Sequence, residues 1–373
     1  MAEYSALATD LLANKSSPTQ PNVLSNQPKP SVETSQSETV LEVTFSVIAS
    51  LAFVLNFMFC IVLLKKPSLM RKPHNFLLFN LAITDLLTGL TLIVTPGYVS
   101  RQSLIPISRG IGGHMFCALL ANRYLLFTIA KVSILLVTCL AMERWCCVLR
   151  PVKYMIHFSR RRRIVYVVGS WILSCALQIH KMFEKRLVGN KCETVEAPYG
   201  ETGAQALIAI YGFANFIVPC VITWLTFAHI KFRSPNSLGA GQKSDGRRVR
   251  QKTVLQLCAL TAAVFTLSWL PAQVSYTLFP FGITDVSSSL HKWWNAIAFL
   301  NSCVNPLIYW YYHKEYRNAF FKLFCGCKAL QFQAIKPQHC TDSGSHDLPL
   351  NHKTGESPPL QMVPSPYIDE NRV

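Results

Sequence analysis

Apolar stretches of about twenty residues recur along the chain, separated by short polar segments rich in lysine and arginine. Each stretch is close to the length of helix that crosses the hydrocarbon core of a bilayer. The pattern predicts seven spans, at 41–64, 75–98, 114–147, 164–183, 204–231, 254–280 and 290–312. The third is long enough to tilt or to run beyond the bilayer. Residues 1–38 are polar and read as a disordered tail, and 39–312 form the seven-span domain. After it, 313–327 contain Phe320, Phe321 and Phe324 on one side and Lys314, Arg317 and Lys322 elsewhere, which suits an amphipathic helix on the membrane surface. Residues 328–373 are again polar, Pro-rich and phosphorylatable.

Charge sets the predicted orientation. The first, third and fifth loops carry Lys65, Lys66, Arg71 and Lys72, then Arg150, Lys153 and Arg160 to Arg163, then Lys231, Arg233, Lys243, Arg247, Arg248, Arg250 and Lys252. Basic loops stay in the cytoplasm. The N-terminus is therefore expected outside and the C-terminus inside. Asn14-Lys15-Ser16 is then a glycosylation sequon on the outer side, and Cys325 and Cys327 are acylation candidates on the inner side.

Composition agrees with the pattern. Half of the 373 residues are hydrophobic and only 15% are charged, which is membrane rather than soluble composition. The formal charge of +17 lies mainly in loops between spans, so it reports topology and not nucleic-acid binding. The 13 cysteines are scattered, many inside apolar runs, and form neither a secreted disulfide framework nor a zinc-ligand pattern. No basic n-region with an apolar h-region opens the chain, so the first span is expected to act as the insertion signal. No metal-ligand pair and no nucleophile–base set suggests an enzyme. A transporter or ion-conducting protein remains the alternative class, with the lack of an internal repeat counting against it.

Polar residues inside the spans carry the candidate chemistry. Asp85 needs a cation, a proton or several hydrogen-bond donors in hydrocarbon, and Ser133, Asn301 and Ser302 are at similar depth. A small hard cation would suit such a site; a structural hydrogen-bond knot would satisfy the carboxylate as well. Asn301 and Asn305 share a helix face, and Pro306 removes the donor for the Ser302 carbonyl and invites a kink. Glu143-Arg144-Trp145 closes the third span; taken alone, the pair would be a surface ion pair of little worth. Phe265 and Trp269 are one turn apart, beside Pro271, and Pro219 kinks the fifth span.

Taken in order, these motifs resemble the rhodopsin-family (class A) G-protein-coupled receptors over roughly 41–325. Asn56, Leu81-Ala82-Ile83-Thr84-Asp85, Glu143-Arg144-Trp145, Trp171, Pro219, Ser268-Trp269-Leu270-Pro271 and Asn305-Pro306-Leu307-Ile308-Tyr309 stand where that family has its signature residues. The resemblance implies an all-α seven-helix bundle with a short eighth helix, in the plasma membrane. It implies an extracellular ligand, a heterotrimeric G protein, arrestin, receptor kinases and membrane lipid as partners, and no cofactor other than an allosteric sodium ion. Asp85, Ser133, Asn301 and Ser302 would form the sodium pocket. Trp269 would be the pocket-floor switch, Ile134, Pro219 and Phe265 the triad that repacks, and Asn305, Pro306 and Tyr309 the seventh-span switch. Arg144 would leave Glu143 to meet the G protein as the sixth span swings outward. Cys117 and Cys192 would form the family disulfide, although Cys117 lies about two residues too far from Arg144. Phe227 replaces a tyrosine, Trp145 replaces another, and Gln251 and Lys252 replace an acid, so a loosened inactive state with basal activity is expected.

The ligand pocket is expected to include Arg123, Leu126, Lys131, Trp269 and Phe299. Leu126 stands where amine receptors carry aspartate, and Phe299 where opsins carry the Schiff-base lysine, which argues against a monoamine and against attached retinal. Lys131 is thirteen residues before Arg144, about 20 Å along the axis and too deep to snorkel easily. Helical phase turns Arg123 inward with Ala130 and Ser133, with Lys131 about 80° round from it. Two such cations suggest an acidic ligand or a peptide carboxyl end. Backbone carbonyls, Glu193 or Glu196 are the alternative partners.

Overall fold

The computed structural model describes residues 32–100, 107, 110–195, 200–237, 245–312 and 314–325. Asn14 and Cys327 lie outside the described residues, as do Glu196 and the side chains of Gln251, Lys252 and Cys325. Seven long helices form a bundle: α1 Val32–Lys65, α2 Pro73–Val94, α3 Tyr124–Leu149, α4 Arg160–Leu177, α5, α6 Asp245–Leu278 and α7 Ser289–Tyr312. The fifth consists of Gly200–Gly212 and Val218–Ser237 joined by a π turn, Phe213–Ile217. A short helix α8, Lys314–Phe320, follows α7. Helix α3 packs against α2, α4, α5 and α6, while α7 closes the ring on α1, α2 and α6.

By length and composition α1, α2, α3, α5 and α6 can cross a membrane. The two remaining helices carry more polar residues. Helix α4 begins with Arg160, Arg161, Arg162 and Arg163. In α7, Asn295, Asn301, Ser302 and Asn305 are all buried inside the bundle. A helix whose polar residues face protein need not be apolar all round.

Two helix junctions depend on backbone details. A Cβ on Gly89 of α2 would come within 2.7 Å of the Ala49 carbonyl oxygen of α1, so glycine permits this close approach. In α7, Pro306 removes the donor for the Ser302 carbonyl. The Asn56 side-chain amide of α1 replaces it, donating to that carbonyl at 2.8 Å and to its own Ala52 carbonyl at 2.8 Å.

The predicted single span at 114–147 is corrected. A short helix Ile111–Phe116 leads into a π turn at Cys117–Ala121, and the chain breaks at Arg123 before α3 begins. Arg123 is left-handed, at φ 59° and ψ 16°. The wide turn and the break absorb the two extra residues, and Cys117 reaches Cys192 to form the disulfide with Cα atoms 5.4 Å apart. Cys192 lies on a hairpin of β1 (Lys185–Val188) and β2 (Lys191–Thr194), with Leu187 opposite Cys192 and Gly189 at φ 63° in the turn.

Helix α8 is anchored by its polar and aromatic residues. Buried Tyr316 donates its hydroxyl to Asn75 of α2, and Lys72 pairs with Glu315 at 2.7 Å. Phe321 and Phe324 are exposed on the π turn that continues α8, as an amphipathic surface segment requires. At the α1–α2 crossing, Gly89→Val is expected to cost about 1–3 kcal/mol by forcing the backbones apart. Gly112→Ala, which meets nothing within 4 Å, serves as the control in thermal unfolding of the solubilised protein.

Candidate functional site

A cavity of about 590 Å³ opens at the disulfide end of the bundle, within the size range of small-ligand sites. Trp269 and Phe127 line its inner part, and Lys185 of the hairpin and Lys181 of the turn after α4 line its outer part. Four cations reach it: Arg123, Lys131, Lys181 and Lys185. Among the described lining residues Glu184 is the sole carboxylate, and it pairs with Lys181 at 3.3 Å. Burial first, and then the charge of Arg123, push the Lys185 ammonium below its ordinary value, with Glu184 opposing. The wall is thus positive and only partly compensated.

Lys131 is 1% exposed. Its ammonium donates to Gln273 Oε1 at 2.8 Å and lies 4.3 Å above the centre of the Trp269 ring. Within the chain its partners are an amide and a π face, not the alternative of a backbone carbonyl or a loop glutamate. Arg123 does not follow the helical phase assumed from the sequence, because it lies in the break before α3 rather than within it. Its guanidinium covers the Tyr98 ring at 5.3 Å. Leu126 and Phe299 are fully buried and do not line the cavity, which corrects their assignment to it. Phe299 instead supports the floor: its ring meets Trp269 edge to face at 5.7 Å.

Below the cavity the aromatic stripe continues. Phe265 stacks with Trp269 at 5.9 Å, and Ile134, Phe265 and Pro219 are buried. The Pro219 carbonyl accepts from the Thr138 hydroxyl at 3.4 Å, tying α3 to α5.

Asp85 lies deeper still and is fully buried. Ser302 and Ser133 donate to its Oδ1 at 2.9 and 3.3 Å, and Asn305 donates to Oδ2 at 2.8 Å. The carboxylate therefore gathers α3 and α7 onto α2. Asn305 joins this set, and Asn301 is buried nearby in sequence with its Oδ1 unpartnered. The amide oxygens of Asn56 and Asn305 also lack a donor. Oxygen ligands of this kind fit a small hydrated cation, whose waters would donate to the free oxygens.

At the opposite end, Arg144 pairs with Glu143 through both Nε and Nη2. Glu143 is fully buried and Arg144 is 5% exposed, so the surface ion pair expected from the isolated motif is instead a buried one. Tyr154, from the short helix Pro151–His157, donates to Glu143 at 2.6 Å. Trp145 donates its indole N–H to His229 Nδ1 of α5 at 3.1 Å. Tyr309 of α7 is buried, with its ring 5.0 Å from Phe59 of α1.

Several of these partners escape the sequence reading. Gln273 is one turn beyond Trp269, a spacing that marked it as a neighbour of the same face. The Val188-Gly189-Asn190-Lys191 turn signals the hairpin that carries Lys185. Nothing local places Tyr154 against Glu143, because a loop's return path has no periodicity.

The chain matches the family described as "7 transmembrane receptor (rhodopsin family)" over residues 55–309. It is 26% identical over 272 residues to Neuropeptide receptor 22 of Caenorhabditis elegans, covering 67% of this chain and 62% of that receptor. It is 25% identical over 285 residues to Rhodopsin of Sargocentron punctatissimum, covering 74% and 79% of the two chains. It is 25% identical over 306 residues to G-protein coupled receptor 15 of Mus musculus, covering 79% and 81%.

Asp85→Ala would leave the Ser302 and Asn305 donors without an acceptor, each worth about 1–3 kcal/mol, while the Ser133 hydroxyl keeps the Thr84 hydroxyl at 3.0 Å. It is expected to lower the midpoint of thermal unfolding more than Ser133→Ala or Ser302→Ala alone. A dye-based melting series of the three purified variants checks the order.

Proposed function

The chain belongs to the rhodopsin family of seven-transmembrane receptors, and we propose that it is a cell-surface receptor for an extracellular ligand bearing an acidic group. The cation-lined cavity carries this reading: Arg123, Lys131, Lys181 and Lys185 face it against the single described carboxylate of Glu184. A peptide carboxyl end or an anionic small molecule supplies the missing charge. Relatives named for neuropeptide, neuromedin U and allatostatin-A recognition favour the peptide.

Lys131 links recognition to response. Its ammonium rests on Trp269, so a ligand carboxylate that draws on Lys131 also alters the environment of the cavity floor. Trp269 stacks on Phe265 of the same helix, and outward movement of α6 then opens the far end of the bundle. There Arg144 leaves Glu143 and Tyr154 and meets a heterotrimeric G protein. Ligand and G protein both favour the open arrangement, so each strengthens binding of the other. A sodium ion would be held by Asp85 with Ser133, Ser302 and Asn301, supplying a charge that holds α2, α3 and α7 together in the closed arrangement. The N-terminus faces the outside and the basic loops the cytoplasm, where kinases and arrestin would act on the polar C-terminal tail.

The test is a ligand-library screen with a promiscuous G-protein reporter and Arg144→Ala as the silent control. Arg123→Gln and Lys131→Gln are each expected to raise the half-maximal concentration of the agonist about 10–100-fold, the worth of one charge-assisted hydrogen bond. Methyl esterification of the agonist's carboxyl should reproduce that loss on the unaltered receptor. Unchanged potency in both variants would discard the acidic-ligand reading. Replacing sodium by choline is expected to raise agonist affinity, and Asp85→Asn to abolish that sensitivity.

A further inference from the structure

A second cavity, about 340 Å³, lies between α3, the short helix Pro151–His157 and the start of α4. It is far from the ligand cavity, at the Arg144 end. Met142, Trp145, Phe158 and Tyr166 form apolar walls, and Arg150, Lys153 and His157 form a polar rim. None of the described residues that line it is acidic. The carboxylate of Glu143, one residue from Met142, is fully buried and already bound by Arg144 and Tyr154.

The lining follows the depth profile of a lipid leaflet. From Cys139 to Arg150 the groove follows α3 for eleven residues, about 16 Å along the axis. Its inner part is therefore at acyl-chain depth and its rim at headgroup depth. Beside it, Val152 and Met155 are 82% and 76% exposed. With Ile156 they form one stripe at i, i+3 and i+4, the arrangement of a helix that lies in the membrane interface. The Arg160 to Arg163 run follows directly and adds to the positive potential of the rim.

We infer that this groove binds an anionic phospholipid of the surrounding leaflet, with its phosphate at Arg150 and Lys153 and one acyl chain against Met142, Trp145 and Phe158. Charge complementarity selects an anionic headgroup, and the apolar walls require the attached chain. The site borders the Glu143–Arg144 pair on two sides. Arg150 covers the Trp145 ring at 5.1 Å, and Tyr154 of the same short helix donates to Glu143. A lipid seated there holds the short helix in place and supports the paired arrangement.

The experiment is native mass spectrometry of the full chain in detergent, titrated with phosphatidylserine or phosphatidylcholine. Retained phosphatidylserine adducts are expected for the unaltered chain. They should weaken roughly thirtyfold in the double variant Arg150→Gln, Lys153→Gln, given about 1 kcal/mol per basic residue. Lys65→Gln, Lys66→Gln, which removes two charges elsewhere, should retain them. Met142→Trp fills the groove with its charges intact and is expected to reduce retention as well, which covers a double variant that fails to fold. Equal retention in the double variant overturns the proposal. So does equal retention of phosphatidylcholine, which marks a neutral-lipid cleft, and so does full competition by chain-free glycerophosphoserine, which marks a soluble-anion site.

Discussion

A carboxylate buried in a bundle surrounded by hydrocarbon must find its donors inside the protein, and Asp85 finds them on two other helices. Ser133 brings α3, and Ser302 and Asn305 bring α7. Hydrocarbon offers no donors, so satisfying this one side chain ties three helices together. The same logic explains the neighbouring proline. Pro306 frees the Ser302 carbonyl and Asn56 occupies it, which brings α1 into the same polar core. Polar groups here act as adhesive between helices whose apolar faces gain nothing from leaving lipid.

The other functional layers are arranged around that core. The disulfide holds the β1–β2 hairpin at one end, and the hairpin and nearby turn present Lys185 and Lys181 to the cavity. Lys131 projects from α3 into the inner part of the cavity and meets Trp269. Past the Asp85 cluster, the Glu143–Arg144–Tyr154 contact closes the far end. The Lys131, Asp85 and Glu143–Arg144 layers each draw a residue from α3, the most deeply buried of the spans.

Much of this was legible in the chain itself, for a physical reason. Lipid imposes a length on every span and a penalty on every polar residue within one, so Asp85, Arg144, Asn301 and Asn305 stand out against an apolar background. Pattern also foretold the Ser302 carbonyl's loss of its donor, though not that Asn56 would fill it. What stayed hidden were contacts made by non-helical backbone. Arg123 looked like an inward helical residue until its left-handed conformation removed the phase on which that inference stood. Leu126 and Phe299 are fully buried and do not line the cavity, since the direction a residue faces is not fixed by its place in a motif. Tyr154 was invisible for the same reason as any long-range loop contact.

The joint at Asn122 and Arg123 has a consequence for comparing this chain with distant relatives. Below it, residues can be matched one to one by counting turns back from Arg144. Above it, a wide turn and a reversed dihedral reset both height and rotation, so counting assigns the wrong neighbour to every position up to Cys117. The rim of the molecule and its shaft are geared separately: residues can enter or leave at that hinge point without turning a single side chain lower down. A change of chain length on the Cys117 side of Arg123 thereby leaves the helical phase of Ser133 and Arg144 untouched.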